Sequence, residues 1–212
     1  MTVTAPAPRT PRAATLRKQE AILAEAERQF ARFGFEGVSL DSIAAALDLS
    51  RQNLLYHWPS KEDLYMAVLN SVMGEWMASM TAIVDADEPQ AAIKAYVAVK
   101  LRFSRDRASG NAVFTREIMA GAPRYRDVLV AQVMPLLHAD VARFERWADE
   151  GLIRRIDFTH LMFLIWSSTQ AYADLGPQFS LYMGKPALDD DDFERARVLL
   201  TDVIWRSLSL VP

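Results

Sequence analysis

The stretch Ser39-Leu-Asp-Ser-Ile-Ala-Ala-Ala-Leu-Asp-Leu-Ser-Arg-Gln-Asn-Leu-Leu-Tyr-His-Trp-Pro-Ser-Lys61 decides the fold of this chain. Ile43, Ala44 and Leu47 recur at helical spacing and give one apolar face. Leu54 and Leu55 do the same for a second, shorter helix that opens on a capping Ser50. A helix, a tight turn and a second helix make the layout of a helix-turn-helix, which lays its second helix in the major groove of DNA. Anchoring by Leu54 and Leu55 leaves Arg51, Gln52, Asn53 and Tyr56 pointing outward. Arg and Gln can bond base edges through two hydrogen bonds at once, and Asn and Tyr can bond bases or phosphates. Ser39, Ser50, His57 and Lys61 border the same face and complete the DNA-binding candidates, with Tyr56 and Lys61 assigned to phosphates. A plain helical hairpin with a solvated polar face fits the same spacing.

Composition narrows the functions open to the chain. With 212 residues, 51% of them hydrophobic, it can bury one core of ordinary size and a smaller one beside it. The charged residues are scattered, nothing approaches the roughly 20 consecutive apolar residues of a membrane span, and the start lacks a signal-peptide pattern. A soluble, cytoplasmic protein with no membrane partner is expected. The absence of cysteine excludes disulfides, thiolate metal sites and a cysteine nucleophile. His57, His138 and His160 are dispersed without metal-ligand spacing, and neither a glycine-rich phosphate loop nor a serine nucleophile motif occurs. No enzyme, no metal and no cofactor are therefore expected. Net charge is −3, yet residues 1–19 carry Arg9, Arg12, Arg17 and Lys18 and no acid. Pro6, Pro8 and Pro11 make residues 1–14 a disordered basic arm that can lie along DNA phosphates or remain a plain tail.

Beyond residue 14 the chain carries a helical period throughout, so the fold class is all-α. A helix-turn-helix DNA-binding domain over 15–60 is followed by a helical ligand-binding and dimerisation domain over 61–212. The first helix is expected over about 15–33, with Ile22, Ala26, Phe30 and Phe33 on one face and Gly34 as its left-handed cap. Ser60 and Asp63 form a reciprocal cap for a fourth helix whose Leu64, Val68, Val72, Trp76 and Met80 align at steps of four. After a break at 85–89 comes a helix to about Arg107 with Ile93, Val97, Leu101 and Ser104 on one side, and Ser109-Gly110-Asn111 reads as a turn. A helix over 112–120 stops at Gly121-Ala122-Pro123; the next runs to Glu150 and is kinked or split by Pro135. Asp157 opens the most apolar segment, 158–175. The acidic run 189–192 suits the start of a last helix bearing Phe193, Val198, Leu199, Val203, Ile204 and Leu208. The last two helices, about 157–184 and 189–208, are expected to form a four-helix bundle with a second copy, because Ile204, Trp205 and Leu208 have no obvious internal helix to cover them. Such a homodimer reads a palindromic stretch of double-stranded DNA in successive major grooves.

Phe33-Gly34-Phe35 with Gly37, and Leu54-Leu55-Tyr56-His57-Trp58-Pro59-Ser60-Lys61-Glu62-Asp63-Leu64, resemble the TetR family of one-component bacterial transcription regulators. The family's tyrosine, aromatic, lysine and acidic positions recur, although Asp48 stands where a turn glycine is usual and Trp58 where a phenylalanine is usual. Further on, Ala92-Ile93-Lys94, Lys100-Leu101, Ser104-Arg105-Asp106, Glu117-Ile118-Met119-Ala120-Gly121-Ala122-Pro123 and Ile165-Trp166-Ser167-Ser168-Thr169-Gln170-Ala171-Tyr172-Ala173-Asp174 are similar to the branch of the family that governs pyrimidine use. In that branch a histidine is common where Ala171 stands. The resemblance implies a homodimeric repressor of pyrimidine catabolism genes, working at the nucleoid, that leaves its operator on binding uracil or a related pyrimidine.

Trp166, Gln170 and Asp174 fall at i, i+4 and i+8, along one stripe of a largely apolar helix. Polar groups embedded there need partners, since an unmet buried one costs about 1–3 kcal/mol. A planar imide such as uracil is one partner: an amide side chain offers it a complementary donor and acceptor, and an indole offers a stacking face. Bonds to neighbouring helices, with the tryptophan simply packed, are the other. Trp76 is expected to flank the planar ring opposite Trp166, with Phe103, Phe114, Glu117 and Thr169 as further ligand candidates. Lys100 can be a pocket donor or a solvated charge. The rival within the same fold is a hydrophobic effector sensed by a regulator of efflux or lipid-metabolism genes; Thr169, Gln170 and Asp174 favour a small polar planar molecule.

Overall fold

The computed structural model describes residues 11–78 and 81–210, which are helical nearly throughout and contain no strand. Arg9 and the rest of the arm before residue 11 lie outside the described residues, as does Met80. Helix α1 spans Pro11–Phe33, beginning before the expected residue 15. The contacts divide the chain between Val68 and Leu69 into two compact units.

The first unit holds α1, α2 (Leu40–Ala46), α3 (Arg51–His57) and the opening turns of α4 (Lys61–Ala78). Ile22, Ala26 and Phe30 of α1 are fully buried with Ile43, Leu54 and Leu64. Phe30 meets Tyr65 edge to face at 5.0 Å and stacks on Phe35 at 6.1 Å. Phe33, expected on the buried face, is instead 52% exposed. The helix ends at this residue, and Gly34, at φ 71°, turns the chain away before a partner can cover the ring. Gly37 then passes so close that a Cβ there would sit 2.5 Å from the Phe33 carbonyl oxygen, which is why the position needs glycine. At the start of α4 the Ser60 hydroxyl accepts the Asp63 N–H at 3.0 Å, as expected of a cap, and donates to the Asp63 carboxylate at 2.7 Å, so that Asp63 reaches back to the hydroxyl of Ser60.

The second unit continues α4 and adds α5 (Thr81–Val84), α6 (Pro89–Asp106), α7 (Ala108–Met119), a short α8 (Arg126–Val128), a π turn (Leu129–Val133), α9 (Met134–Asp149), α10 (Phe158–Asp174), α11 (Gly176–Tyr182) and α12 (Asp190–Leu208). Helix α6 is the centre: α10 and α12 both lie along it, and Ile93, Val97, Leu101 and Ser104 are buried as expected. Two expectations are corrected here. Ser109-Gly110-Asn111 is not a turn but part of α7, because the Asn111 amide donates to the Phe103 and Arg107 carbonyls at 3.3 and 3.0 Å and so closes the end of α6 while α7 begins. Pro135 divides its helix, as one of the two expected outcomes: the chain widens into the π turn just before it, and α9 starts at Met134 with the proline in its first turn. Ile204 and Leu208, expected to need a second copy, are buried within one chain, with Trp205 packed against the same core. The helix that covers α12 is α6, whose apolar surface extends to two sides. Left exposed on α12 are Val198, Leu199 and Val203.

Candidate functional site

In the first unit, two serine caps set the hairpin. Ser39 accepts the Ser42 N–H at 3.0 Å to open α2, and Ser50 accepts the Asn53 N–H at 3.3 Å to open α3. Between them Asp48 takes the left-handed conformation, φ 54°, that its place in the turn requires. The result turns Arg51, Gln52, Asn53 and Tyr56 outward, and Tyr56 is 84% exposed. Arg51 reaches Asp41 at 3.1 Å, an exposed pair of the kind that contributes little and exchanges readily. Asn53 donates to Ser50 at 3.1 Å, and His57 Nδ1 pairs with the Gln19 amide nitrogen of α1 at 3.2 Å. Lys61 is tied inward: its ammonium donates to the Phe35 and Val38 carbonyls, both at 3.1 Å, and lies 4.3 Å from the Phe35 ring centre. Of the eight residues named from sequence, four therefore make the outward face, while Ser39, Ser50, His57 and Lys61 brace it.

The second unit encloses a cavity of about 760 Å³ between α4, α6, α7, the π turn with the start of α9, and α10. Trp76, Phe103, Phe114, Trp166, Gln170 and Asp174 all line it. The carboxylate of Asp174 accepts from the Thr115 hydroxyl at 3.0 and 3.1 Å, and the Gln170 amide nitrogen reaches both Thr115 and Asp174 at 3.3 Å. Trp166 donates its indole N–H to the Tyr96 hydroxyl at 2.7 Å. Burial raises the Tyr96 pKa, so this phenol is never ionised in use.

Two ligand candidates do not reach the cavity. Thr169 is fully buried, with its hydroxyl returned to the Ile165 carbonyl at 2.7 Å and its own carbonyl accepting from Ser104. Glu117 is buried at the end of α7, where Gly121 and Ala122 both adopt positive φ and swing the chain so that the Arg124 and Tyr125 N–H groups meet its carboxylate at 2.7 and 3.2 Å. It is a cap for the following turn. The tryptophans, expected to flank a planar ring, meet each other instead, edge to face with centres 5.6 Å apart, because the bond to Tyr96 fixes Trp166.

Sequence reasoning passed over Asn111, Thr115, Phe163 and Ser167, and left Lys100 undecided. Thr115 follows Asn111 by one turn of α7, but only the reading of 109–111 as helix would have put both on one wall. Lys100 is buried and faces the cavity with its Nζ 4.2 Å from the Trp76 ring centre; desolvation lowers its pKa to about 7.

A model of the N-terminal region of bacterial regulatory proteins of the tetR family matches residues 22–68, and one of the C-terminal region of YcdC-like proteins matches 69–211. The HTH-type transcriptional regulator RutR of Escherichia coli strain K12 is 40% identical over 178 residues, 84% of each chain.

The chain belongs to the TetR family.

Among solved TetR structures, the regulator PfmR of Thermus thermophilus superposes with a TM-score of 0.71 at 21% identity, covering 89% of this chain and 95% of that one. AibR, solved with isovaleryl coenzyme A and operator DNA, gives 0.70 at 20% identity over 88% and 97%. Such distant likeness supports the fold. TetR regulators bind operator DNA and small molecules, and this member is a ligand-responsive transcriptional regulator, not an enzyme. No helix among the described residues is long and apolar enough to cross a membrane.

Proposed function

We propose that the protein is a homodimeric repressor that reads a palindromic operator through Arg51, Gln52, Asn53 and Tyr56 and leaves it when a planar polar ligand of the pyrimidine class, uracil or a relative, fills the cavity. The observation that carries this reading is the Gln170 cluster on the cavity wall. Its amide nitrogen is directed at Thr115 and Asp174, and its carbonyl oxygen takes no hydrogen bond from any described residue. An imide N–H is the donor such an oxygen lacks, and the adjoining Trp166 ring is a stacking surface. The exposed Val198, Leu199 and Val203 of α12 supply the apolar strip for a second copy. With one helix-turn-helix per subunit, the dimer fits two half-sites about one turn of DNA apart.

A bulkier, more hydrophobic effector is the second reading, favoured by a cavity that one pyrimidine ring fills only in part and by walls that include Val72, Leu129, Val133 and Leu137. Titration of the operator-bound protein separates the two. Uracil is expected to release DNA and change tryptophan emission, while 1,3-dimethyluracil, stripped of its donors, does neither. Release by a long-chain apolar compound with no response to pyrimidines gives the second reading its place.

A further inference from the structure

We propose that the effector carries one negatively charged group, a carboxylate or its equivalent, which enters the cavity against the ammonium of Lys100. This goes beyond the pyrimidine reading, in which an acidic relative then binds more tightly than neutral uracil, and it holds whatever body bears the charge. Lys100 is buried on α6 and aimed into the void, and it gives no hydrogen bond and no ion pair to any described residue. Its contact with the Trp76 ring offsets only part of the hydration a buried ammonium loses. The carboxylates of the surrounding helices have other partners or other places. Glu117 holds the Arg124 and Tyr125 amides, and Asp174 takes bonds from Thr115 and Gln170. Asp140 of α9 is not among the residues that line the cavity. The protein thus supplies three donors and no counter-ion, in a cavity with room beyond the ring that Gln170 engages.

The site also couples anion binding to proton uptake. With its pKa lowered to about 7 by burial, Lys100 is partly an amine in the empty cavity at neutral pH, and an arriving anion restores its proton. Affinity for an anion therefore falls as pH rises above 7. Around Lys100, α6 itself contributes Tyr96, whose pKa is raised, and α10 contributes Asp174; α4 presents Trp76, and α7 presents Asn111 and Thr115, which do not titrate here. Asp140 of α9, whose carboxyl burial pushes up to about 7, acts on Tyr96 and contributes to the same pH range. Asp140→Asn removes its share of the profile.

The test uses matched pairs of probes with the full-length protein: β-ureidopropionate against dihydrouracil, and hexanoate against hexan-1-ol. Calorimetry at pH 6.5 and 8.5 is expected to show at least one acid binding roughly tenfold or more tighter than its neutral partner, as a charge-assisted bond requires. That preference should shrink at the higher pH, persist in Lys100→Arg and in Asp140→Asn, and vanish in Lys100→Met. Equal affinity for acids and neutrals, no binding of either acid, or a preference that survives Lys100→Met overturns the proposal. Should Lys100→Met fail to fold, a pH-independent preference in Asp140→Asn overturns it alone. Hexanoate releasing operator where β-ureidopropionate does not removes the pyrimidine reading and leaves Lys100 its role. Operator release by neutral uracil, where neither acid binds or releases it, does the reverse.

Discussion

The outward face of α3 and the wall of the cavity treat polar side chains in opposite ways. On α3, Gln52 and Tyr56 point to solvent and Arg51 keeps only an exposed, exchangeable pair with Asp41. In the cavity, Gln170, Thr115 and Asp174 bond one another and Trp166 bonds Tyr96 before any ligand arrives. The difference follows from water. A solvated donor waits at little cost for DNA to replace its hydration, whereas a donor in an apolar enclosure must be satisfied in the empty state. The wall's donors are therefore already engaged, and the Gln170 carbonyl oxygen is the acceptor left open. Lys100 departs from that rule, which is why it points to a missing charge.

The largest expected effect separates core from surface on a single helix. Ile204→Asp places an unpaired charge beside α6 and should cost more than about 4 kcal/mol, enough to lose the fold in urea unfolding. Leu199→Asp, on the exposed strip of the same helix, should leave the subunit folded but monomeric in sedimentation, with operator affinity falling alongside. A folded Ile204→Asp dimer breaks the assignment of these faces. Next, Glu117→Ala should destabilise the protein by about 2–3 kcal/mol by taking the acceptor from one buried and one part-buried backbone amide. A ligand contact would instead lose affinity at constant stability.

On the DNA side, Gln52→Ala should weaken specific operator binding by about 1–3 kcal/mol with little change on random DNA. Lys61→Met should lower the melting temperature, since it releases the Phe35 and Val38 carbonyls, while the dependence of affinity on salt stays as it was. A phosphate contact would reduce that slope by about one unit, measured as log affinity against log salt. The smallest effect is a gain: Asp48→Gly should raise stability by about 1 kcal/mol by relieving the left-handed turn residue, read from thermal unfolding with DNA binding kept.

The hairpin was legible in the sequence because a solvent-facing helix has only one dry side, and Ile43, Ala44 and Leu54 marked it. The cavity was legible only where a stripe was long enough to aim. Trp166, Gln170 and Asp174 share such a stripe and do line the wall, but Thr169, one position from Gln170, faces the core and bonds its own helix. Glu117 was misplaced because its work depends on the paired positive φ angles of Gly121 and Ala122, which bring backbone amides from the next turn. Periodicity carries no trace of that. Nor could it show that α6 is shared between α10 and α12, so Ile204 and Leu208 seemed to lack a cover that lies far earlier in the chain.

The central claim is that one ligand and one operator compete through the same protein, and linkage makes this directly measurable. Uracil is titrated calorimetrically into the free protein and into protein saturated with operator DNA. If uracil favours the arrangement that cannot hold DNA, its affinity must drop in the second titration by the same factor by which uracil weakens the operator complex. Equal uracil affinity with and without DNA contradicts the account.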